Sequence, residues 1–129
     1  MSAAFPWAQL LAVALGSAVG GVLRWAVQME LNARWAGFPL GTLVVNCIGG
    51  LLIGIALAWF ARSPNELLRL LMVTGFLGGL TTFSAFTGES LTLLQRGDVG
   101  WAMAHSAAHL LGALACCVLG FRIAKALLA

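Results

Sequence analysis

The chain has 129 residues, of which 61% are hydrophobic and only 9% are charged. Soluble domains carry about 25% charged residues, so this composition excludes an ordinary soluble domain. The formal charge of +3 is small and scattered, which excludes a basic surface for nucleic acid. We therefore expect an all-α integral membrane protein with a single transmembrane domain over residues 1–129.

Four apolar runs fill nearly the whole chain. A helix needs about 20 residues to cross the roughly 30 Å hydrocarbon core of a bilayer, and each run meets that length. Charges, prolines and turn residues separate the runs. The predicted spans cover residues 7–28, 40–60, 67–94 and 99–121.

The first span carries small residues at every fourth position, namely Ala12, Gly16 and Gly20. Such a stripe lets a neighbouring helix approach closely. Arg24 lies near the C-terminal end of this span and has two interpretations. Either it reaches the lipid headgroups, as the adjoining Trp25 suggests, or it supplies a positive charge to a vestibule or a buried pair.

The second span contains no charge, and Thr42, Asn46, Gly50 and Gly54 recur at every fourth position on one helical face. An asparagine inside a membrane needs a partner, and it commonly holds two helices together. The alternative is a polar track, poor in side chains, along one wall of a pathway. The repeat of two polar residues and two glycines favours the track.

The third span is too long for one untilted helix at a rise of 1.5 Å per residue. We expect the glycine–threonine segment of residues 78–82 to break it near the middle of the membrane. Breaks at that depth occur where the freed peptide groups face protein, water or an ion, so the break predicts a site. At the start of this span, Ser63 is expected to cap a helix that begins around Pro64 to Glu66.

The fourth span places His105, His109 and Gly112 on one face. Histidines four residues apart on a helix can bind a metal ion or haem. Because no acidic or cysteine residue is in register with them, packing and hydrogen bonding between helices is the favoured interpretation.

The basic residues give almost no orientation signal. One side of the membrane would carry four of them and the other three, a difference too small to fix the topology by the positive-inside rule. The two sets are Arg62, Arg69, Arg122 and Lys125 against Arg24, Arg34 and Arg96. We expect both orientations to occur and to pair as an antiparallel homodimer about a two-fold axis in the membrane plane.

Neutral hydrogen-bond donors dominate the polar chemistry of the spans. Phe83 and Phe86 follow the expected break, and the edges of their rings carry partial positive charge. Ring edges with amide and hydroxyl donors suit a small anion that must bind and leave again, whereas fixed cations would hold it too tightly. The candidate donors are Thr42, Asn46, Thr81, Thr82, Ser84 and Thr87. No Ser-His-Asp set or phosphate-binding loop is apparent, so we do not expect an enzyme.

Three stretches of the sequence resemble the small bacterial fluoride channels of the CrcB (Fluc) family. They are GGVLRW at 20–25, GTLVVN at 41–46 and TGFLGGLTTFSAF at 74–86. The third stretch is long and specific, and together with the four-span layout the match extends over nearly the whole chain. The resemblance implies a dual-topology, antiparallel homodimer with two anion pathways in the bacterial inner (plasma) membrane, through which toxic fluoride leaves the cytoplasm passively.

The resemblance also implies roles for individual residues. Phe83 and Phe86 match the phenylalanines of the family's pore, and Asn46 matches its pore asparagine. Gly78 and Thr81 match the positions whose backbone carbonyls hold a structural Na⁺ ion between the two subunits. Such an ion takes oxygen ligands, which carbonyls at a helix break supply.

Further positions match polar residues near that pathway. Thr42 and Ser84 are among them, and Thr87 adds a hydroxyl on the same segment as Ser84. Glu89 matches a family glutamate, and His109 matches a residue of some relatives. With Arg24, these two are candidate accessory residues.

Two positions depart from the family pattern. Relatives often have threonine where this chain has Ala85 and serine where it has Ala113. Both changes remove a hydroxyl, so they thin the polar track that the resemblance implies.

Two other functions are kept as alternatives. A proton-coupled small multidrug exporter would also have four spans and dual topology, and it would depend on a membrane-embedded acid, for which Glu89 is the candidate. A haem-binding membrane-anchor subunit would use His105 or His109 as an axial ligand.

Overall fold

The computed structural model describes residues 5–35 and 37–129; residues 1–4 and 36, which the predicted single domain includes, lie outside the described part. Throughout the described residues the regular secondary structure is helical, and four helical segments are long and apolar enough to cross a membrane. Their bounds are Trp7–Asn32, Leu40–Arg62, Glu66–Gln95 and Val99–Leu127. The predicted all-helical, four-span chain is confirmed at this level.

Three of the segments are uninterrupted helices, which we name α1 (Trp7–Asn32), α2 (Leu40–Arg62) and α6 (Val99–Leu127). Each runs beyond the predicted apolar span at its C-terminal end. A helix does not stop where the apolar run stops, because its backbone hydrogen bonds continue as long as the following residues tolerate helical geometry.

The third segment is built from four pieces. They are α3 (Glu66–Arg69), a π-helix (Leu70–Leu77), α4 (Gly78–Leu80) and α5 (Phe83–Gln95). A π-helix is rare in proteins and is commonly found next to functional sites.

The start of this segment differs from the prediction. Asn65, not Ser63, caps α3, because the Asn65 side-chain oxygen accepts a hydrogen bond from the Leu68 N–H at 3.0 Å. Ser63 instead ends α2, with its N–H donating to the Trp59 carbonyl at 3.0 Å. Asn65 has the extended backbone (φ −145°, ψ 100°) that an N-cap residue adopts.

A tight turn reverses the chain between α5 and α6. Gly97 adopts a left-handed conformation with φ 80°. Its N–H donates to the Leu94 carbonyl and the Asp98 N–H donates to the Leu93 carbonyl, each at 3.0 Å. This is the hydrogen-bond pattern by which a glycine closes a helix. The turn places α5 and α6 side by side in opposite directions.

The small-residue stripe of α1 packs against the π-helix and α4. Ala12, Gly16 and Gly20 are buried. A Cβ atom added to Gly16 would lie 2.7 Å from the Phe76 nitrogen, and one added to Gly20 would lie 2.8 Å from the Leu80 nitrogen. The predicted close approach of a neighbouring helix is therefore confirmed, and it is an approach of backbone to backbone.

The predicted track along α2 has a polar half, Thr42 and Asn46, and a glycine half, Gly50 and Gly54. A Cβ atom added to Gly50 would lie 2.5 Å from the Ala113 carbonyl oxygen, and one added to Gly54 would lie 2.8 Å from the Phe121 nitrogen. The glycines thus hold α2 against α6. The expectation of one continuous polar track is wrong for Gly54, because that part of the face is closed by helix packing.

Candidate functional site

Two threonines with extended backbone separate α4 from α5. Thr81 has φ −87° and ψ 156°, and Thr82 has φ −151° and ψ 120°. Thr82 is the N-cap of α5, since its Oγ1 accepts a hydrogen bond from the Ala85 N–H at 3.1 Å. Thr81 Oγ1 donates to the Leu77 carbonyl at 2.8 Å. The peptide groups of this segment leave the helical pattern and need other partners.

Asn46 on α2 supplies two of those partners. Its Nδ2 donates to the Thr82 carbonyl at 2.9 Å, and its Oδ1 accepts from the Thr82 N–H at 2.8 Å. Because the Thr82 N–H can only donate and the Thr82 carbonyl can only accept, the side-chain amide has only one orientation. The second amide hydrogen therefore points to His109 Nδ1, 3.0 Å away.

Arg24 supplies a third partner from α1. Its Nε donates to the Gly79 carbonyl at 3.0 Å, and its side chain is partly buried. This contact matches the pairing interpretation of Arg24. Asn46 and Arg24 thus hold the segment of residues 79–82 from two different helices.

Polar side chains of α2, α5 and α6 meet beside this segment. Thr42 is fully buried and donates its hydroxyl hydrogen to Glu89 Oε1, while it accepts from Gln28 Nε2 at 3.0 Å. The other carboxylate oxygen of Glu89 lies 3.2 Å from His105 Nε2. The expectation that the histidines lack an acidic partner is therefore wrong. Glu89 reaches them from α5, because the turn at Gly97 brings the two helices together.

The two phenylalanines have different surroundings. Phe86 lies against the histidines, with ring centroids 5.4 Å from His105 and 4.7 Å from His109. Phe83 is 76% exposed. The two phenylalanine rings meet edge to face, with centroids 5.4 Å apart and planes inclined by 63°. The Phe86 ring is thus partly buried against the histidines, and the Phe83 ring lies on the surface.

Several predicted residues line one depression of about 660 Å³ between α2, the third segment and α6. The predicted residues in its lining are Asn46, Gly50, Gly78, Thr81, Thr82, Phe83, Phe86 and His109. Ala113, one of the two departures from the family pattern, also lines it. The structure therefore brings together the Asn46 amide, the two phenylalanine rings and residues of the segment 78–82.

The remaining predicted residues lie elsewhere. Glu89 lines a second depression of about 180 Å³, together with Asn32 and Arg96. Ser84 and Thr87 are exposed on α5, where Thr87 Oγ1 donates to the Ser84 carbonyl at 2.9 Å. The cluster of Thr42, Glu89 and the histidines lies between the two depressions, because Glu89 lines one and His109 the other.

Two residues of the site, Gln28 and Ser90, were not predicted, and His105 was predicted only as a packing residue or a haem ligand. His105 is fully buried and bonds both Glu89 and Ser90, whose Oγ lies 2.9 Å from His105 Nδ1. Its spacing from His109 was a usable signal, since helical residues four apart share a face. Gln28 and Ser90 carried no such signal, because each depends on the rotation of one helix against another.

Comparison with known proteins gives a consistent picture. The family model for the CrcB-like protein, Camphor Resistance (CrcB), matches residues 11–121. A protein named fluoride-specific ion channel FluC from Pseudomonas aeruginosa (strain UCBPP-PA14) is 47% identical over 116 residues, which is 88% of this chain and 91% of that protein.

Two further proteins of the same name are similar to the chain. The one from Nitrosomonas europaea (strain ATCC 19718) is 50% identical over 110 residues, covering 84% of this chain and 87% of that protein. The one from Aromatoleum aromaticum (strain DSM 19018) is 47% identical over 123 residues, covering 94% of each chain. The resemblance read from the sequence is confirmed: this chain belongs to the CrcB family.

Proposed function

We propose that the chain conducts fluoride passively and selectively, as a dual-topology, antiparallel homodimer in the bacterial inner (plasma) membrane. Export of fluoride from the cytoplasm would protect the cell from its toxicity. Relatives at 47% and 50% identity are named fluoride-specific ion channels. The observation that carries the proposal is that the Asn46 amide and the Phe83–Phe86 pair line the same depression.

The proposed anion contacts are neutral. An incoming anion takes the Asn46 amide hydrogen that points to His109, because the other amide hydrogen is held by the Thr82 carbonyl. Phe83 and Phe86 line the same depression, and the edges of their rings carry partial positive charge. Neutral donors replace part of the hydration of a small anion without trapping it, as conduction requires.

A second subunit completes this site in the proposal. Phe83 is 76% exposed, and Ser84 and Thr87 are exposed beside it. Small hydroxyl residues on a membrane-spanning segment favour packing against another polypeptide, because lipid tails offer them no hydrogen-bond partner. A partner that covers this face would turn the open depression into an enclosed pathway, and Ser84 and Thr87 would then add hydroxyl donors to it. The buried Thr42 would support the pathway indirectly, because its hydroxyl holds Glu89 in place.

The proposal includes a structural Na⁺ ion at the subunit interface, held by the backbone carbonyls of Gly78 and Thr81. The local hydrogen bonds fit this role. The Thr82 N–H, the ordinary helical donor for the Gly78 carbonyl, donates to Asn46 instead. Thr81 is extended and lines the same depression as Gly78. Two carbonyls per subunit would offer four hard oxygen ligands, which suit Na⁺, and the ion would join the two subunits.

Liposome flux tests the conduction proposal. Purified protein in liposomes loaded with potassium fluoride should release fluoride after addition of valinomycin, as recorded by a fluoride electrode. Liposomes loaded with chloride should release far less under the same conditions, and protein-free liposomes should release neither ion. Equal rates for the two anions, or the absence of fluoride release, would contradict the proposal.

Reporter fusions test dual topology. A fluorescent protein that folds only in the cytoplasm and a phosphatase active only outside it, each fused to the C-terminus, should both be active. Activity of only one reporter would show a single orientation and would exclude the antiparallel pair.

Membership of the CrcB family favours the channel over the two alternatives. The exporter would require Glu89 to couple transport to protons, whereas a passive channel needs no proton coupling. Transport of aromatic cations that stops in Glu89→Gln would support the exporter. A haem absorbance band in the purified protein would support the membrane-anchor subunit.

A further inference from the structure

We propose that Glu89, His105 and His109 form a binding site for a divalent transition-metal ion of the Zn²⁺ type. One ligand atom of each residue lies within 4.8 Å of the other two. Two ligands about 2.0–2.1 Å from a tetrahedral ion lie about 3.3 Å apart. The distance between Glu89 Oε2 and His105 Nε2 is 3.2 Å, so these two atoms are already at the spacing that such an ion needs.

An unpartnered nitrogen points independently to a ligand at this position. His109 is 95% buried, since its exposed fraction is 5%. In the part of the chain that the structure describes, its Nε2 is the one buried side-chain nitrogen or oxygen without a hydrogen-bond partner. Buried polar atoms are nearly always satisfied, so this nitrogen needs a partner that the described side chains do not supply: an acceptor while it carries the ring proton, or a metal ion once that proton lies on Nδ1.

The partners of the first two ligands suit a metal site. His105 Nδ1 lies 2.9 Å from Ser90 Oγ, which can accept a hydrogen bond from the Nδ1–H tautomer and leave Nε2 free for the metal. Thr42 bonds the other oxygen of Glu89. Bonds of this kind fix the orientation of metal ligands and raise their basicity.

The ligand set selects the type of ion. Two imidazoles and one carboxylate suit Zn²⁺, Co²⁺, Ni²⁺ and Cu²⁺, whereas Na⁺, Mg²⁺ and Ca²⁺ prefer oxygen ligands. Three protein ligands also leave the fourth position of a tetrahedral ion open for water or an anion. This site is therefore chemically different from the proposed Na⁺ site of backbone carbonyls.

Asn46 opposes metal binding at His109 in a way that can be measured. Asn46 donates to His109 Nδ1, so the proton of the neutral ring lies on Nε2. Metal binding at Nε2 moves that proton to Nδ1, where it meets the amide hydrogens of Asn46. A residue that accepts at position 46 would remove the conflict. Asn46→Asp should therefore bind the metal more tightly than the native protein.

A metal ion at this position should affect conduction, an inference that rests on the proposed function. Glu89 lines the depression of about 180 Å³, and His109 lines the one of about 660 Å³. An ion bound to both residues would lie between the two depressions, where an anion that passes from one to the other must go. It should therefore block fluoride passage.

Cobalt absorption provides a test that does not depend on flux. Co²⁺ is added to the purified, tag-free protein in detergent, and the visible d–d bands of four-coordinate cobalt are recorded. We expect bands that Zn²⁺ removes. A triple Cys47→Ala, Cys116→Ala, Cys117→Ala variant should keep them, which excludes thiolate ligands.

The variants distinguish a ligand set from a structural effect. His109→Gln and Glu89→Gln should lose the bands while eluting as the native protein does on size exclusion; His105→Gln serves if either fails to fold. Asn46→Asp should bind Co²⁺ about tenfold more tightly, the scale typical of groups that bond metal ligands. Absent bands in the native protein, or bands unchanged in His109→Gln, would overturn the site.

Flux then tests the block. Zn²⁺ at concentrations that displace Co²⁺ should stop fluoride release from liposomes, and EDTA should restore it. Zn²⁺ binding with undiminished release would overturn the location of the site in the pathway. If fluoride release is absent even without metal, the proposed function fails while the cobalt bands still decide the metal site.

Discussion

Asn46 bonds both backbone polar groups of Thr82: its amide nitrogen donates to the Thr82 carbonyl at 2.9 Å and its oxygen accepts from the Thr82 N–H at 2.8 Å. These two hydrogen bonds fix the N-terminus of α5 to α2 at a point where the backbone is extended. The orientation of the amide, and with it the donor offered to an anion, is thus set by the backbone of another helix.

Asn46→Asp should reduce fluoride flux by at least tenfold. The carboxylate loses the donor to Thr82 and places a negative charge beside the anion contacts, where a pathway of low dielectric strengthens the repulsion. Fluoride release from liposomes measures the change. Asn65→Asp is the matched control, because aspartate caps α3 as well as asparagine does. Native flux in Asn46→Asp would remove this residue from the pathway.

Gly20→Ala should destabilise the packing of α1 by about 1–3 kcal/mol, the usual cost of overpacking. The added methyl group would meet the backbone of Phe76 and Leu80, which cannot turn aside as a side chain can. The apparent Tm in detergent should fall by several degrees. Gly21→Ala is the neighbouring control, since a Cβ atom there has nothing within 4 Å. Equal Tm values for the two variants would contradict the described packing.

Thr42→Val should destabilise the protein by about 1–3 kcal/mol, because it leaves buried polar partners without a hydrogen bond at nearly unchanged volume. The groups that lose a partner are Gln28 Nε2 and Glu89 Oε1. Thr42→Ser should restore most of the loss, as measured by the apparent Tm. Thr92→Val is the control, since the Thr92 hydroxyl bonds only its own helix in an exposed position. A Tm unaffected by Thr42→Val would exclude this role.

Arg24→Ala should also lower the apparent Tm. It leaves the Gly79 carbonyl without its donor, and a part-buried acceptor without a partner costs about 1–3 kcal/mol. Arg62→Ala, at the exposed end of α2, should change the Tm little. If both arginine variants melt alike, the bond to Gly79 contributes nothing to stability.

Replacement of Na⁺ tests the proposed cation. Binding to the folded dimer raises its stability with ion concentration, so the apparent Tm should rise with Na⁺ at constant ionic strength and should not rise with K⁺. A covalent cross-linking assay should show more dimer in Na⁺. Identical melting curves and dimer yields in the two salts would exclude a stabilising Na⁺ site.

The sequence predicts the fold and part of the site for a physical reason. Apolar length and small-residue spacing act within one helix, so the four spans and the Gly16–Gly20 contact follow from periodicity alone. The pairing of Glu89 with His105 depends on how α5 is rotated against α6, which no pattern within one helix contains. Serine and asparagine are equally good N-cap residues, so composition does not decide between Ser63 and Asn65. The choice depends on the backbone angles, which suit a cap at Asn65.

The glycine contacts make the helix pairs mechanically stiff. Where α1 meets the π-helix and where α2 meets α6, main chain touches main chain. A change of side-chain rotamer cannot compensate for a displacement at such a contact. Each helix pair therefore moves as one rigid body or separates. A small movement that accompanies conduction must therefore come from groups outside these helix pairs, above all the exposed ring of Phe83.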